Sequence, residues 1–224
     1  AAVRRHGPEK ELLMQASRAL LHPAAKPALF VVALLPFAWL LVGALTQQLG
    51  ANPAEHLIRA TGDWTLRFLC LVLAVTPLRV ISHTPALARF RRMLGLFVYF
   101  YALLHLLSYS GFDMAFDVAD IATDIAKRPF ILVGFTAFLL LTPLAATSFN
   151  RAIRALGAAR WQLLHKAVYG VAALAILHFF WMRAGKNNFA EVAVYAVILG
   201  GLLGWRLKRF IKKKGSIPAS LGLL

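Results

Sequence analysis

The sequence predicts an all-α integral membrane protein, a bundle of about six transmembrane helices. Three observations carry that expectation. Of the 224 residues, 60% are hydrophobic and only 15% charged, with a mean hydropathy of +0.68; a soluble domain carries roughly a quarter charged residues. The apolar residues gather into six long runs separated by polar loops. The basic residues alternate from loop to loop in the pattern that sets membrane orientation.

The first run extends from Leu29 to about Leu49. Its length marks a retained span, since the apolar core of a cleaved signal peptide is about 7–15 residues. The second run is Trp64 to Leu78, with Thr76-Pro77 marking its end. The third, Leu94 to Tyr109, follows Arg91-Arg92, and the fourth starts at Pro129 and reaches about Ala146. Proline suits a first helical turn. The fifth covers Trp161 to Met182 and the sixth Phe189 to Leu207. Residues 1–27 read as a basic cytoplasmic segment, in which Leu12, Leu13, Ala16 and Leu20 would line one face of an interfacial helix. Residues 28–208 form the transmembrane domain and residues 209–224 a basic cytoplasmic tail. Between the third and fourth runs, Asp117, Asp120 and Asp124 fall at helical spacing. They read as a solvated acidic surface helix, with docking of a periplasmic partner as the alternative.

The formal net charge is +16, from 25 Lys+Arg against 9 Asp+Glu. Nucleic acid is not the expected partner. The basic residues sit between apolar runs, where anionic lipid headgroups meet them. Clusters such as Arg89-Phe90-Arg91-Arg92, Arg151 to Arg160 and Lys212 to Lys214 share one side with the basic N-terminal segment. The opposite loops hold Asp113, Asp117, Asp120, Asp124 and Glu191 with few cations. The positive-inside rule then places both termini of this inner-membrane protein in the cytoplasm. A single cysteine, Cys70, excludes disulfide frameworks, zinc clusters and iron–sulfur clusters held by this chain alone. There is no Gly-rich strand–helix unit and no P-loop.

Chemistry must therefore come from polar groups within the spans, which are costly there and mark function. Three histidines qualify. His105 lies about 16 Å into the third span from its cytoplasmic end. In the fifth span, His178 lies about 25 Å in and His165 about one turn in. His105 and His178 thus share the periplasmic half, where two imidazoles on facing helices suit the two axial positions of a haem iron. The bland alternative is that each histidine hydrogen-bonds a nearby carbonyl or hydroxyl. On an ideal continuous helix His165 would point about 140° away from His178. It is left with three readings: ligand of a second haem without an identified partner, contact of a quinone or flavin, or helix cap. Fourteen residues before His105 stands Arg91, which cannot act as an ordinary haem ligand but can hold a propionate or a flavin phosphate.

Several stretches together carry a resemblance: Asn52-Pro53-Ala54-Glu55 with Thr61-Gly62-Asp63-Trp64, Val75-Thr76-Pro77-Leu78-Arg79, RRMLGLFVYFYALLH from Arg91 to His105, Arg128-Pro129-Phe130-Ile131, Thr142 to Ser148, and Trp161-Gln162-Leu163-Leu164-His165-Lys166. Between about Asn52 and Trp181 the chain resembles the MsrQ family, formerly YedZ, within the ferric reductase-like transmembrane domain shared with NADPH oxidases. The resemblance implies a haem-binding membrane subunit of an MsrPQ methionine sulfoxide reductase system. It implies b-type haem on His105, His165 and His178, and FMN. Electrons would come from the quinone pool or a cytoplasmic flavin reductase and pass to an MsrP-like periplasmic molybdoenzyme. Arg91 stands where the wider superfamily has a second histidine on the third span. Arg79, Arg91 and Arg92 are the basic candidates for FMN at the cytoplasmic face. The remaining alternatives are a ferric reductase-like carrier with another acceptor, a transporter and a non-redox scaffold. The absence of mid-span carboxylates speaks against the transporter.

Overall fold

The computed structural model describes residues 15, 17–184 and 189–215, with side chains up to residue 212. Leu12, Leu13 and Ala16 of the expected interfacial helix lie outside the described residues, as does the tail beyond Gly215; residues 17–21 are helical. The described residues contain helices and turns without strands. Among the described residues, six stretches are long and apolar enough to cross a membrane, as the composition predicts.

Helix α1 (Ala25–Leu45) contains Pro36. Next to it the buried Tyr101 hydroxyl donates to the Ala33 carbonyl (2.8 Å) and accepts from the Phe37 amide (3.1 Å). Those two groups are the i→i−4 partners of an undisturbed helix, so the tyrosine is inserted into the ladder of α1. Helix α2 (Pro53–Ile81) is far longer than the Trp64–Leu78 run. Asn52 caps it, accepting from the Glu55 amide at 3.1 Å, with proline in the first turn. Thr76-Pro77 does not end it. Proline has no N–H, which frees the carbonyl four residues back; that carbonyl, Leu73, is met by the Arg206 guanidinium. The start of α2 escapes a hydropathy reading because it carries His56, Arg59 and Asp63; the expected absence of a mid-span carboxylate does not hold, since Asp63 lies about 15 Å inside this helix.

A 3-10 turn, Pro85–Phe90, leads into α3 (Arg91–Phe112). Helix α4 (Val118–Lys127) is the acidic surface helix, capped by Asp117, which accepts from the Ala119 and Asp120 amides. None of its residues is buried. Helix α5 (Pro129–Ala146) matches the fourth run. The short α6 (Asn150–Leu156) and α7 (Ala158–His165) meet at Gly157, and α8 (Val168–Ala184) follows. The expected continuous fifth span is thus interrupted: at Lys166 and Ala167 the amides bond three residues back, to Leu163 and Leu164. This tightened turn cancels the ideal-helix angle between His165 and His178. Helix α9 (Ala190–Gly215) extends beyond Leu207 into the basic tail.

Helices α2 and α3 form the most extensive pair, with α5 against α8 next and α9 packed on α2 and α8. The core between them is aromatic. Phe68 and Tyr101 stack at 5.1 Å with planes 11° apart, and Phe97 lies 5.5 Å from Phe68. Helix α1 touches α2 only sparsely.

Candidate functional site

Helices α2, α3, α5 and α8 enclose a cavity of about 280 Å³. Two of its walls each present one histidine, seven residues before the end of α3 (His105) and six before the end of α8 (His178). Both therefore lie about 10 Å from the same end of the bundle, as the depth argument predicts. Their ring centroids are 6.1 Å apart and their planes 75° inclined.

Each ring is fixed through its δ nitrogen to a carbonyl of the helix it packs against. His105 Nδ1 meets the Ile58 carbonyl of α2 at 2.8 Å, and His178 Nδ1 meets the Phe130 carbonyl of α5 at 2.6 Å. A carbonyl accepts only, so Nδ1 donates and Nε2 keeps its lone pair in the neutral ring. That tautomer is the metal-binding one. Each ring also lies against a glycine. A Cβ at Gly62 would sit 3.2 Å from His105, and one at Gly134 would sit 2.8 Å from His178. The separation fits one metal between the rings: bonds of about 2 Å, plus about 1 Å from nitrogen to centroid, place two imidazole centroids about 6 Å apart. The apolar walls (Leu69, Val98, Phe138, Leu141, Val171) suit a macrocycle. The residues present therefore fit a bis-imidazole haem.

At the opposite end of the bundle stands His165, at the C-terminus of α7. Its ring stacks on Trp161 at 3.9 Å, and its Nδ1 is 3.0 Å from the Trp161 carbonyl. Its Nε2 is buried and has no hydrogen-bond partner among the described residues. Arg91 and Arg206 are within electrostatic range of one another, and Arg91 of His165. The structure thus gathers His165 and Arg91. Arg92 donates to Asn150 Oδ1 at 2.6 Å, and Arg79 is exposed at the end of α2.

A second recess, about 650 Å³, opens sideways between α1 and α2. Trp39, His56, Arg59, Asp63, Trp64 and Arg67 line it, and Arg59 and Asp63 also line the histidine cavity. The exposed Arg67 is the central residue of α2, its guanidinium 4.5 Å above the Trp64 ring. The structure also adds to the site Gly62, Gly134, the Ile58 and Phe130 carbonyls, Arg183 and this lateral recess. Of these only the run of polar residues at 56–67 left a trace in the sequence, as a loop-like composition.

Residues 61–176 match the family described as ferric reductase like transmembrane component. The chain is 78% identical over 188 residues to the protein-methionine-sulfoxide reductase heme-binding subunit MsrQ of Polaromonas naphthalenivorans, covering 84% of this chain and 86% of that protein. It is 54% identical to the MsrQ of Herminiimonas arsenicoxydans, covering 80% and 82%. It is also 43% identical to the magnetosome protein MamZ of Magnetospirillum gryphiswaldense, over 81% of this chain but only 28% of that longer protein. No solved structure matches.

Proposed function

We propose that the chain, which belongs to the MsrQ family of ferric reductase-like transmembrane proteins, is a b-type cytochrome. Seated in a bacterial inner membrane, it relays electrons from the quinone pool or a cytoplasmic reductant to an MsrP-like periplasmic molybdoenzyme that reduces protein methionine sulfoxide. The observation that carries this reading is the pair His105 and His178: rings from two spans, 6.1 Å apart, each with its δ nitrogen taken by a carbonyl. A haem bound there would supply one-electron chemistry between ferric and ferrous iron. The chain's own contribution is structural and electrostatic. Ile58 and Phe130 hold the imidazoles in the ligating tautomer, Gly62 and Gly134 let them pack close to α2 and α5, and the apolar walls exclude water.

On the donor side the lateral recess supports a quinol from the bilayer. It opens between α1 and α2, offers indoles for stacking and the Asp63 and His56 side chains as proton acceptors, and shares two wall residues with the histidine cavity. An arginine at mid-span is costly unless it has a function, and Arg67 supplies a donor for a quinone carbonyl. A cytoplasmic flavin reductase is the other donor class. FMN would be met by Arg91 beside His165, with Arg79 and Arg92 as the neighbouring cations. Both termini are cytoplasmic in this reading, and the basic loops contact anionic lipid.

Reconstitution tests the function. The purified protein is reduced until its haem bands are ferrous, and methionine sulfoxide is added alone or with the molybdoenzyme. Rapid reoxidation is expected only with partner and substrate together. Rapid reoxidation by the sulfoxide alone would make the chain itself the reductase. No reaction with the partner, but a fast one with ferric chelates, would assign another acceptor.

A further inference from the structure

The histidine cavity is polarised along its length. Its inner walls are apolar apart from Asp63 and Thr65, whereas Asp113, Arg128 and Arg183 lie at helix ends towards the mouth, with Arg59 within two turns of one. A haem is polarised in the same way, with two propionate groups on one edge of an apolar plate. Three arginines reach the mouth, each with one carboxylate partner. Arg59 pairs with Glu55, and Arg128 grips Asp124 through Nε and a terminal nitrogen. Arg183 differs. One terminal nitrogen meets Glu191 at 2.5 Å, and Asp63 lies within electrostatic range. Its side chain is only 14% exposed, yet its Nε is buried without a hydrogen-bond partner among the described residues.

A buried N–H of a charged group left unpaired costs more than that of a neutral one. The chain carries that cost at a point five residues past His178 on the same helix, about 7.5 Å nearer the mouth. We propose that Arg183 binds a propionate carboxylate of the haem held by His105 and His178, with its Nε–H as donor, and so fixes which edge of the macrocycle faces the mouth. The assignment rests on the haem reading above. It makes Arg183 a cofactor-binding residue, and Arg59 and Arg128 supports of the mouth through their own carboxylate partners.

The test compares free haem with its dimethyl ester, which lacks the anionic carboxylates. Both are titrated into haem-depleted protein and followed by the Soret band, in the wild type, Arg183→Gln and Arg183→Lys. The wild type should prefer free haem by about tenfold or more, the worth of a charge-assisted hydrogen bond, and Arg183→Gln should bind the two nearly alike. Redox titration gives a second readout. Loss of the cation should lower the midpoint potential in Arg183→Gln, with partial restoration in Arg183→Lys. An unchanged preference and potential in Arg183→Gln would overturn the assignment. Should Arg183→Gln not fold, equal binding of haem and ester by the wild type would overturn it equally. A wild type that binds neither form would instead sink the haem reading itself.

Discussion

Gly134 has no room for a β-carbon: it would lie 2.8 Å from the His178 ring, whose Nδ1 is tied to the Phe130 carbonyl of the same helix at 2.6 Å. Gly62 is less tight, with 3.2 Å to His105. Gly134→Ala should therefore lose most of the haem absorbance, whereas Gly62→Ala should keep most of it. Reduced-minus-oxidised spectra at matched protein amounts would show this, and equal retention by both would refute the cradle argument. His105→Ala and His178→Ala should each abolish the low-spin haem signal; full absorbance in both would remove them as ligands. The histidines were legible in the sequence because polar groups stand out in apolar runs and depth can be counted along a helix. Their supports were not. The Ile58 and Phe130 carbonyls belong to residues 47 and 48 positions away from the histidines they hold, and no side-chain pattern announces a carbonyl. In the sequence Arg183 is only a charge just past the fifth apolar run, since packing alone reveals an unpaired Nε.

At the scale of elements, the same physics explains where boundaries moved. Thr76-Pro77 reads as a stop, because proline removes a ladder bond, yet Arg206 of α9 satisfies the freed Leu73 carbonyl and α2 continues. Inside a bilayer no water can do this. Arg206→Met should leave that carbonyl unmet and destabilise the protein by about 1–3 kcal/mol, read as a lower thermal midpoint in detergent; an unchanged midpoint would dismiss the contact. Helix α4 gives a pH-dependent counterpart. Partial burial raises the Asp124 pKa, but bonds from Arg128 and Tyr109 outweigh it and hold the carboxyl below its usual 3.8. A depressed folded pKa contributes stability that is present above the unfolded value and lost as pH falls through the folded one. Wild-type stability should thus fall below about pH 4, and Asp124→Asn should be less stable at neutral pH and flatter in that acid range. Parallel pH profiles for the two proteins would contradict the linkage. The acidic helix itself was readable from Asp117, Asp120 and Asp124, while the break between α7 and α8 was not, because Lys166-Ala167 carries no proline or glycine.

For the whole molecule, orientation decides what the histidine cavity serves. The basic loops and the mouth of the cavity lie at opposite ends of the bundle: Arg91, Arg151 and Arg154 at one end, and α4 with Arg128 and Arg183 at the other. Lys and Arg are retained on the cytoplasmic side, so the mouth should face the periplasm, where a soluble acceptor meets the edge of the haem. His165 and Arg91 then face the cytoplasm. A labelling experiment settles the direction. In a Cys70→Ala background, Asp120→Cys and Arg154→Cys each place one thiol at an exposed position. Asp120 is the better choice on α4 because the Asp117 side chain caps the helix, and losing such a cap costs about 1 kcal/mol. A membrane-impermeant maleimide added to cells with a permeabilised outer membrane should label Asp120→Cys at once, and Arg154→Cys only after the inner membrane is broken. The reverse pattern would put the cavity mouth in the cytoplasm. The two histidines would still fit one haem, but its exposed edge would face a cytoplasmic partner, and delivery to a periplasmic molybdoenzyme would have to run through the His165 end.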